Sequence, residues 1–363
     1  MRIKVLDGLR GLAILLVIFS HMPQIVEIPL DTNAYTLFQA FNFGYLGVDI
    51  FLALSGFLIT RILIKEKKEG TLSLKVFFIK RAFRILPIYL LTVLICGIIF
   101  TWEGIGYLLT YTANYYFAFG DGTHPLENAW SLSVEEHYYL IWPLVIVFFS
   151  LERVRKYSWL ITLCITLSAT VLVYQFFDNE TARSLIYFGT EFKILVLCLG
   201  SFMAFYEKPI TTWNKDVATR VFGISSIMFF VLAFAAEFNF LKNLLPSAAL
   251  RSFTNALCAI AILILAIIQE NTNSIYNSLF DNKIINYIGT ISYGLYLFHY
   301  PIFYGWCMLT QQTLGTSVTF IAFLPPLALT FLLAALSFQY IEQPLLRYRN
   351  RLLNKGVFKT SLV

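Results

Sequence analysis

Charge is what this chain has least of. Only 13% of its 363 residues are Asp, Glu, Lys or Arg, against about 25% in water-soluble domains. Hydrophobic residues make up 58%, and mean hydropathy is +0.71. An ordinary soluble domain is thereby excluded, and a membrane protein is expected. Paired cysteine is missing too. Cys96, Cys164, Cys198, Cys258 and Cys307 all fall in apolar segments and none forms C-x-x-C, which excludes a disulfide framework and a thiolate metal site. They read as small buried hydrophobes. There is no Walker loop, G-x-G-x-x-G, H-E-x-x-H or G-x-S-x-G in triad context, which argues against a nucleotide-driven pump, a zinc protease and an α/β-hydrolase. The absence of a visible internal repeat weakens a transporter built from inverted repeats. Neither a metal nor a nucleic-acid partner is expected, and the net charge of +6 is informative only in where it lies.

What is present is a series of apolar runs long enough to cross a bilayer. The sequence predicts an all-α, polytopic membrane protein with about ten spans, near 9–28, 44–64, 86–102, 131–150, 158–177, 184–206, 221–238, 252–269, 288–311 and 317–340. Aromatic content is 17%, suited to lipid contact and interfacial belts. Placing both termini in the cytoplasm puts all but Arg183, Lys193, Lys242 and Arg251 of the 27 Lys and Arg on the inner face, as the positive-inside rule requires. Arg2 and Lys4 before an apolar run resemble a signal peptide, but no small-x-small cleavage site follows, so an uncleaved first span is expected. The transmembrane domain is drawn over 1–343. Within it, 65–86 is an interfacial basic segment, and 103–130, broken by Gly and Pro, is re-entrant or interfacial. A short basic cytoplasmic tail, 344–363, follows.

Four places in this apolar background carry chemistry. Arg10 and His21 share the first span. Eleven residues is about three helical turns, so both side chains lie on one face about 16 Å apart along the axis. Ionisable groups at membrane depth are costly and usually functional, and an imidazole there suits a general base. The second place is ENAWSLSVEEHYYLIWPL, 127–144, with Glu135, Glu136 and His137 entering a span. Glu135 is expected at the depth of His21, where a carboxylate would orient the imidazole, and Ser131 shares its face one turn earlier. In KVFFIKRAFRILP, 75–87, Arg81 and Arg84 share a face. They read either as anchors to anionic lipid or as a guanidinium pair gripping the phosphates of a cytoplasmic donor. In GYLGVDIFLALSGFLIT, 44–60, Asp49 is either an acceptor contact or a helix-start residue, and Gly44, Gly47 and Gly56 permit close helix approach. His299, in ISYGLYLFHYPIF, falls near mid-membrane and reads as a structural side chain; no role is assigned to it or to His137.

Taken in order, these segments resemble acyltransferase family three, the integral-membrane O-acyltransferases of bacterial surface glycans. Arg10 and His21 match its Arg-x10-His signature, Arg81 and Arg84 its Arg-x-x-Arg, and Ser131 and Glu135 its Ser-x-x-x-Glu. ISYGLYLFHYPIF and YIEQPLLR, 340–347, continue the match over nearly the whole chain. His137 departs from the Gln more usual after the Glu pair. The form without a fused hydrolase-like domain is the one resembled.

The resemblance implies a multi-pass enzyme of the bacterial inner membrane, with no tightly bound cofactor. Acyl-CoA, in the first place acetyl-CoA, is the implied donor, held by Arg10, Arg81 and Arg84. His21, supported by Glu135, serves as general base or transient acyl carrier, and Asp49, Trp130 and Ser131 contact the acceptor. The acceptor is a surface polysaccharide or its lipid-linked precursor, with membrane lipids the other partner and oligomeric state undetermined. Two alternatives stay open: a transporter or flippase for a lipid-linked sugar, using the same Arg and His, and acylation of a small molecule.

Overall fold

The computed structural model describes residues 4–25, 44–120, 124–207, 247–269, 282–314 and 324–355, and within them all regular structure is helical. In chain order the helices are α1 (Lys4–Ile25), α2 (Gly44–Lys68), α3 (Leu74–Ile99), α4 (Ile105–Leu109), α5 (Ala113–Phe119), α6 (Ala129–Phe148) and α7 (Leu151–Phe176). They continue as α8 (Asn179–Phe188), α9 (Thr190–Phe205), α10 (Ser247–Gln269), α11 (Lys283–Thr290), α12 (Ser292–Leu314), α13 (Leu324–Ser337) and α14 (Gln343–Asn354). A π-helical turn, Phe338–Glu342, joins the last two.

Five stretches among the described residues are long and apolar enough to cross a membrane: 44–68, 74–99, 151–176, 179–205 and 324–354. The sequence predicts ten, and the one at 221–238 lies outside the described residues. The difference at α6 and α12 has a chemical cause. These helices carry the Ser131–His137 run and the Tyr-rich segment around His299, and such side chains dilute an apolar window. With α1 they are sheltered by neighbours instead: Leu9, Ile14, Ile18, Val134 and Leu295 are essentially inaccessible. On α7, by contrast, Ile161, Leu167, Val171 and Phe176 face outward, the pattern of a helix against lipid.

Within lipid, apolar burial drives helix association weakly, so close backbone approach matters more. α2 and α9 make one such contact. A Cβ at Gly56 would collide with the Leu197 carbonyl, and one at Gly200 with the Ala53 carbonyl. α1 packs on α2, α10, α11 and α12, which puts Arg10 and His21 inside the bundle. Lys67, one of a run of charges in the sequence, caps the C-terminal end of α6. Its Nζ reaches the carbonyls of Ile146, Val147 (3.2 Å) and Phe149 (2.8 Å), the orphan acceptors a helix leaves at that end.

The boundaries differ from expectation at two places. Residues 65–68 close α2, and 74–86 is the first half of α3, which runs through Pro87 to Ile99 as one helix. Helices in lipid tolerate an internal proline because neighbours satisfy the freed carbonyl. Segment 103–130 is broken, as its glycines suggest, into α4 and α5 before α6 begins. Near 343 the helix does not end. The π turn inserts one extra residue per turn, holds Glu342 buried beside Ser337 (3.3 Å) and leads directly into α14.

Candidate active site

α1 and α12 bring two imidazoles together. His21 Nδ1 lies 2.9 Å from His299 Nε2, the rings stack at 5.1 Å, and His299 is fully buried. His299 Nδ1 lies 3.0 Å from the Leu295 carbonyl. The tautomers follow from that contact. A carbonyl only accepts, so the proton of neutral His299 sits on Nδ1; its Nε2 then accepts, and His21 Nδ1 donates. His21 Nε2 is left with a lone pair and no partner among the described residues, the state a general base needs.

Aromatic and hydroxyl groups frame the pair. The Tyr300 ring stands edge-on to His21 at 5.2 Å, and its hydroxyl donates to Glu127 Oε2 at 2.7 Å. Tyr296 packs against His299, donates to the Asn128 carbonyl at 2.9 Å and pairs with Ser131 Oγ at 2.6 Å. Since the Tyr296 proton goes to the carbonyl, Ser131 is the donor to Tyr296.

Glu135 is not the partner of His21. Its carboxylate accepts from Ser55 Oγ at 2.8 Å and from the Tyr139 hydroxyl at 2.9 Å. The charges it acts on are Arg81 and Arg10. Four residues separate Ser131 from Glu135, so along α6 the first reaches the histidine region through Tyr296 and the second the arginines. Depth along the sequence, without the tilt and rotation of α6, puts Glu135 beside His21; the packed helix turns it away.

The three arginines do converge. Arg81 lies over the Tyr139 ring at 4.7 Å and the Phe77 ring at 5.8 Å. Arg10 and Arg81 both act electrostatically on Arg84. Arg10 has a long ion pair with Asp7 at 3.9 Å, and neither Arg81 nor Arg84 forms one among the described residues. Arg10, Arg81 and Arg84 thus lie within electrostatic reach of one another, with Asp7, Glu135, Glu136 and Glu342 acting on them as well, and planar guanidinium forks are suited to phosphate.

The three acceptor-contact candidates are occupied by the fold. Asp49 is 1% exposed, and its Oδ1 accepts from Lys193 Nζ at 3.0 Å. Trp130 packs on Tyr187 at 4.8 Å and Phe188 at 5.4 Å, and Ser131 serves Tyr296. Lys193 also sits over the Trp130 and Tyr187 rings, so Asp49 and Trp130 belong to one packed cluster joining α2, α6, α8 and α9. Asp49 Oδ2, also buried, has no hydrogen-bond partner among the described residues. His137 is likewise placed apart, on Thr190 Oγ1 at 2.7 Å. His299 is the residue that sequence reasoning misses; an ionisable group at the depth of His21 is the signal that could have found it.

With this geometry in view, the profile of the family described as an acyltransferase domain matches residues 3–338. The chain belongs to this acyltransferase family. It is 31% identical to the peptidoglycan O-acetyltransferase OatA of Listeria monocytogenes, over 94% of this chain and 55% of that protein. It is 27% identical to the O-acetyltransferase OatA of Staphylococcus aureus, over 94% of this chain and 56% of that protein. A putative O-acetyltransferase of the same species matches at 27%, over 93% of this chain. The chain thus spans about half the length of these curated relatives. No solved structure matches it.

Proposed function

We propose that this acyltransferase-family chain is a membrane O-acetyltransferase that moves an acetyl group from acetyl-CoA to a hydroxyl of a cell-wall glycan or its lipid-linked precursor. The observation that carries the reading is the His21–His299 pair, which leaves one bare imidazole nitrogen inside a membrane bundle. The names of the relatives, with peptidoglycan as the acceptor of the Listeria protein, support the acceptor class. Both termini face the cytoplasm, in keeping with the Lys and Arg distribution. The anionic end of the donor sits on Arg10, Arg81 and Arg84, and its thioester arm runs along α1 toward His21, about 16 Å away.

In the reaction, His21 Nε2 takes the proton of the acceptor hydroxyl as its oxygen attacks the thioester carbonyl. The C–S bond breaks, the acetyl group ends on the oxygen, and the CoA thiolate takes the proton back from the imidazolium. His299 holds His21 in the tautomer that makes Nε2 the base. Glu135 balances Arg10 and Arg81 and positions them rather than acting on the imidazole.

The test uses protein purified into nanodiscs, acetyl-CoA labelled in the acetyl group and a soluble muropeptide or lipid-linked acceptor. Wild type should release CoA thiol and transfer label at equal rates, and His21→Ala should do neither while remaining folded. Label retained on wild-type protein before acceptor is added would replace the direct step with an acyl-enzyme on His21. Folded wild type that neither binds nor cleaves acetyl-CoA would overturn the reading.

A further inference from the structure

The sequence predicts a basic tail on the membrane surface where α14 lies, but the arginines of that helix do not behave alike. Arg347 is exposed, and its guanidinium bonds Gln343 of its own helix at 3.0 Å. Arg349 points the other way, into the bundle. Its Nη1 donates to the carbonyl of Lys80 on α3 at 3.3 Å, and the adjacent Tyr348 ring sits 6.4 Å from Phe83. Lys80 immediately precedes Arg81, and Arg349 and Arg81 lie within electrostatic reach of each other. The π turn ahead of α14 buries Glu342 within reach of Arg84.

Four guanidiniums, Arg10, Arg81, Arg84 and Arg349, are therefore gathered around the start of α3. Asp7, Glu135, Glu136 and Glu342 are within electrostatic reach, yet among the described residues the ion pair of Arg10 with Asp7, at 3.9 Å, is the one such contact any of the four makes. Arg349 otherwise spends Nε and Nη2 on the neutral amide oxygen of Asn350, at 3.1 and 2.8 Å. With one direct ion pair among them, these guanidiniums keep forks that a multiply charged anion can bridge.

We propose that Arg349 is a further phosphate-binding residue of the donor site, and that α14 forms one wall of that site against α3. This rests on the reading that Arg10, Arg81 and Arg84 hold the nucleotide end of the donor. The ligand chemistry, a phosphate ester, is shared by the donor and by anionic lipid, and the experiment separates the two.

Initial rates are measured in phosphatidylcholine nanodiscs with acetyl-CoA and with acetyl-pantetheine, which carries the thioester but no phosphate. Arg349→Ala should raise KM for acetyl-CoA about tenfold with kcat held, equivalent to about 1.4 kcal/mol. R349K should recover part of the loss, and Arg347→Ala, a control for bulk charge on the same helix, should stay within about twofold. With acetyl-pantetheine the R349A-to-wild-type KM ratio should fall toward one. Equal effects of R349A and R347A, or a KM rise that persists with acetyl-pantetheine, would overturn the assignment. So would an effect that appears only when phosphatidylglycerol is added, since the bound phosphate would then be lipid. If wild type uses both donors with the same KM and Arg81→Ala moves neither, the underlying donor reading has failed; if R81A raises KM for acetyl-CoA and R349A does not, Arg349 alone is wrong.

Discussion

The two ends of α1 solve the same problem in opposite ways. At His21 every polar contact is closed: His299 accepts from His21, Leu295 accepts from His299, and one lone pair is left over. At Arg10 little is closed. Arg81 and Arg84 lie within electrostatic reach, Asp7 pairs with Arg10 only at 3.9 Å, and the carboxylates of Glu135 and Glu342 bond to hydroxyls. On the proposed reading, the first end is finished without a ligand and the second is completed by the anionic donor. A base must be held in one protonation state before the reaction starts. A binding site can leave its charges exposed until the donor arrives, and that attraction becomes affinity.

The sharpest way to break this contrast is at the base. His21→Ala should lower acetyl transfer by at least the 10²–10⁴-fold that a positioned general base contributes, roughly, as measured by label transfer per folded molecule. Removing the partner should cost less. His299→Ala should reduce kcat by about 10–100-fold, the size found when the group orienting a functional imidazole is lost. H299Q, which keeps an acceptor oxygen, should recover part of that loss, whereas a purely packing role for His299 would favour H299L over H299Q. At the other end the signature should change from kcat to KM. Arg81→Ala should raise KM for acetyl-CoA by about 10–150-fold, matching the loss of one charge-assisted contact worth about 1.5–3 kcal/mol.

Glu135 decides whether the two ends are truly separate. Glu135→Gln keeps its hydrogen-bonding shape and removes its charge, so a several-fold KM effect with an unchanged pH profile of kcat is expected. A shifted pH profile would mean that Glu135 acts on His21 after all. The effect least connected with either end is structural. Lys193→Ala strands the Asp49 carboxylate, and breaking a buried ion pair from one side costs about 3–5 kcal/mol. It should appear as a lower thermal midpoint in detergent, and K193M paired with D49L should restore much of it.

Periodicity and spacing are enough to make one functional face visible. Arg10 and His21 have to share it, because eleven residues bring a helix back to nearly the same direction. The same arithmetic puts Arg81 beside Arg84. It fails for Glu135, since register along one helix says nothing about how that helix is rotated against another. Asp49 and Trp130 look available in the sequence for the same reason. That Lys193 comes 144 residues later to occupy Asp49 is a fact of packing between α2 and α9.

The sequence by itself determined that the chain belongs in a membrane, that it is helical, and which ionisable residues are out of place there, because scarcity of charge and helical period are local properties. Only the tertiary structure decided which of those residues meet. His299 joins His21, Glu135 turns to the arginines, and Arg349 returns from the far end of the chain to α3. Each pairing crosses between helices distant in sequence, and the rotation of one helix against another leaves no period to be read along the chain.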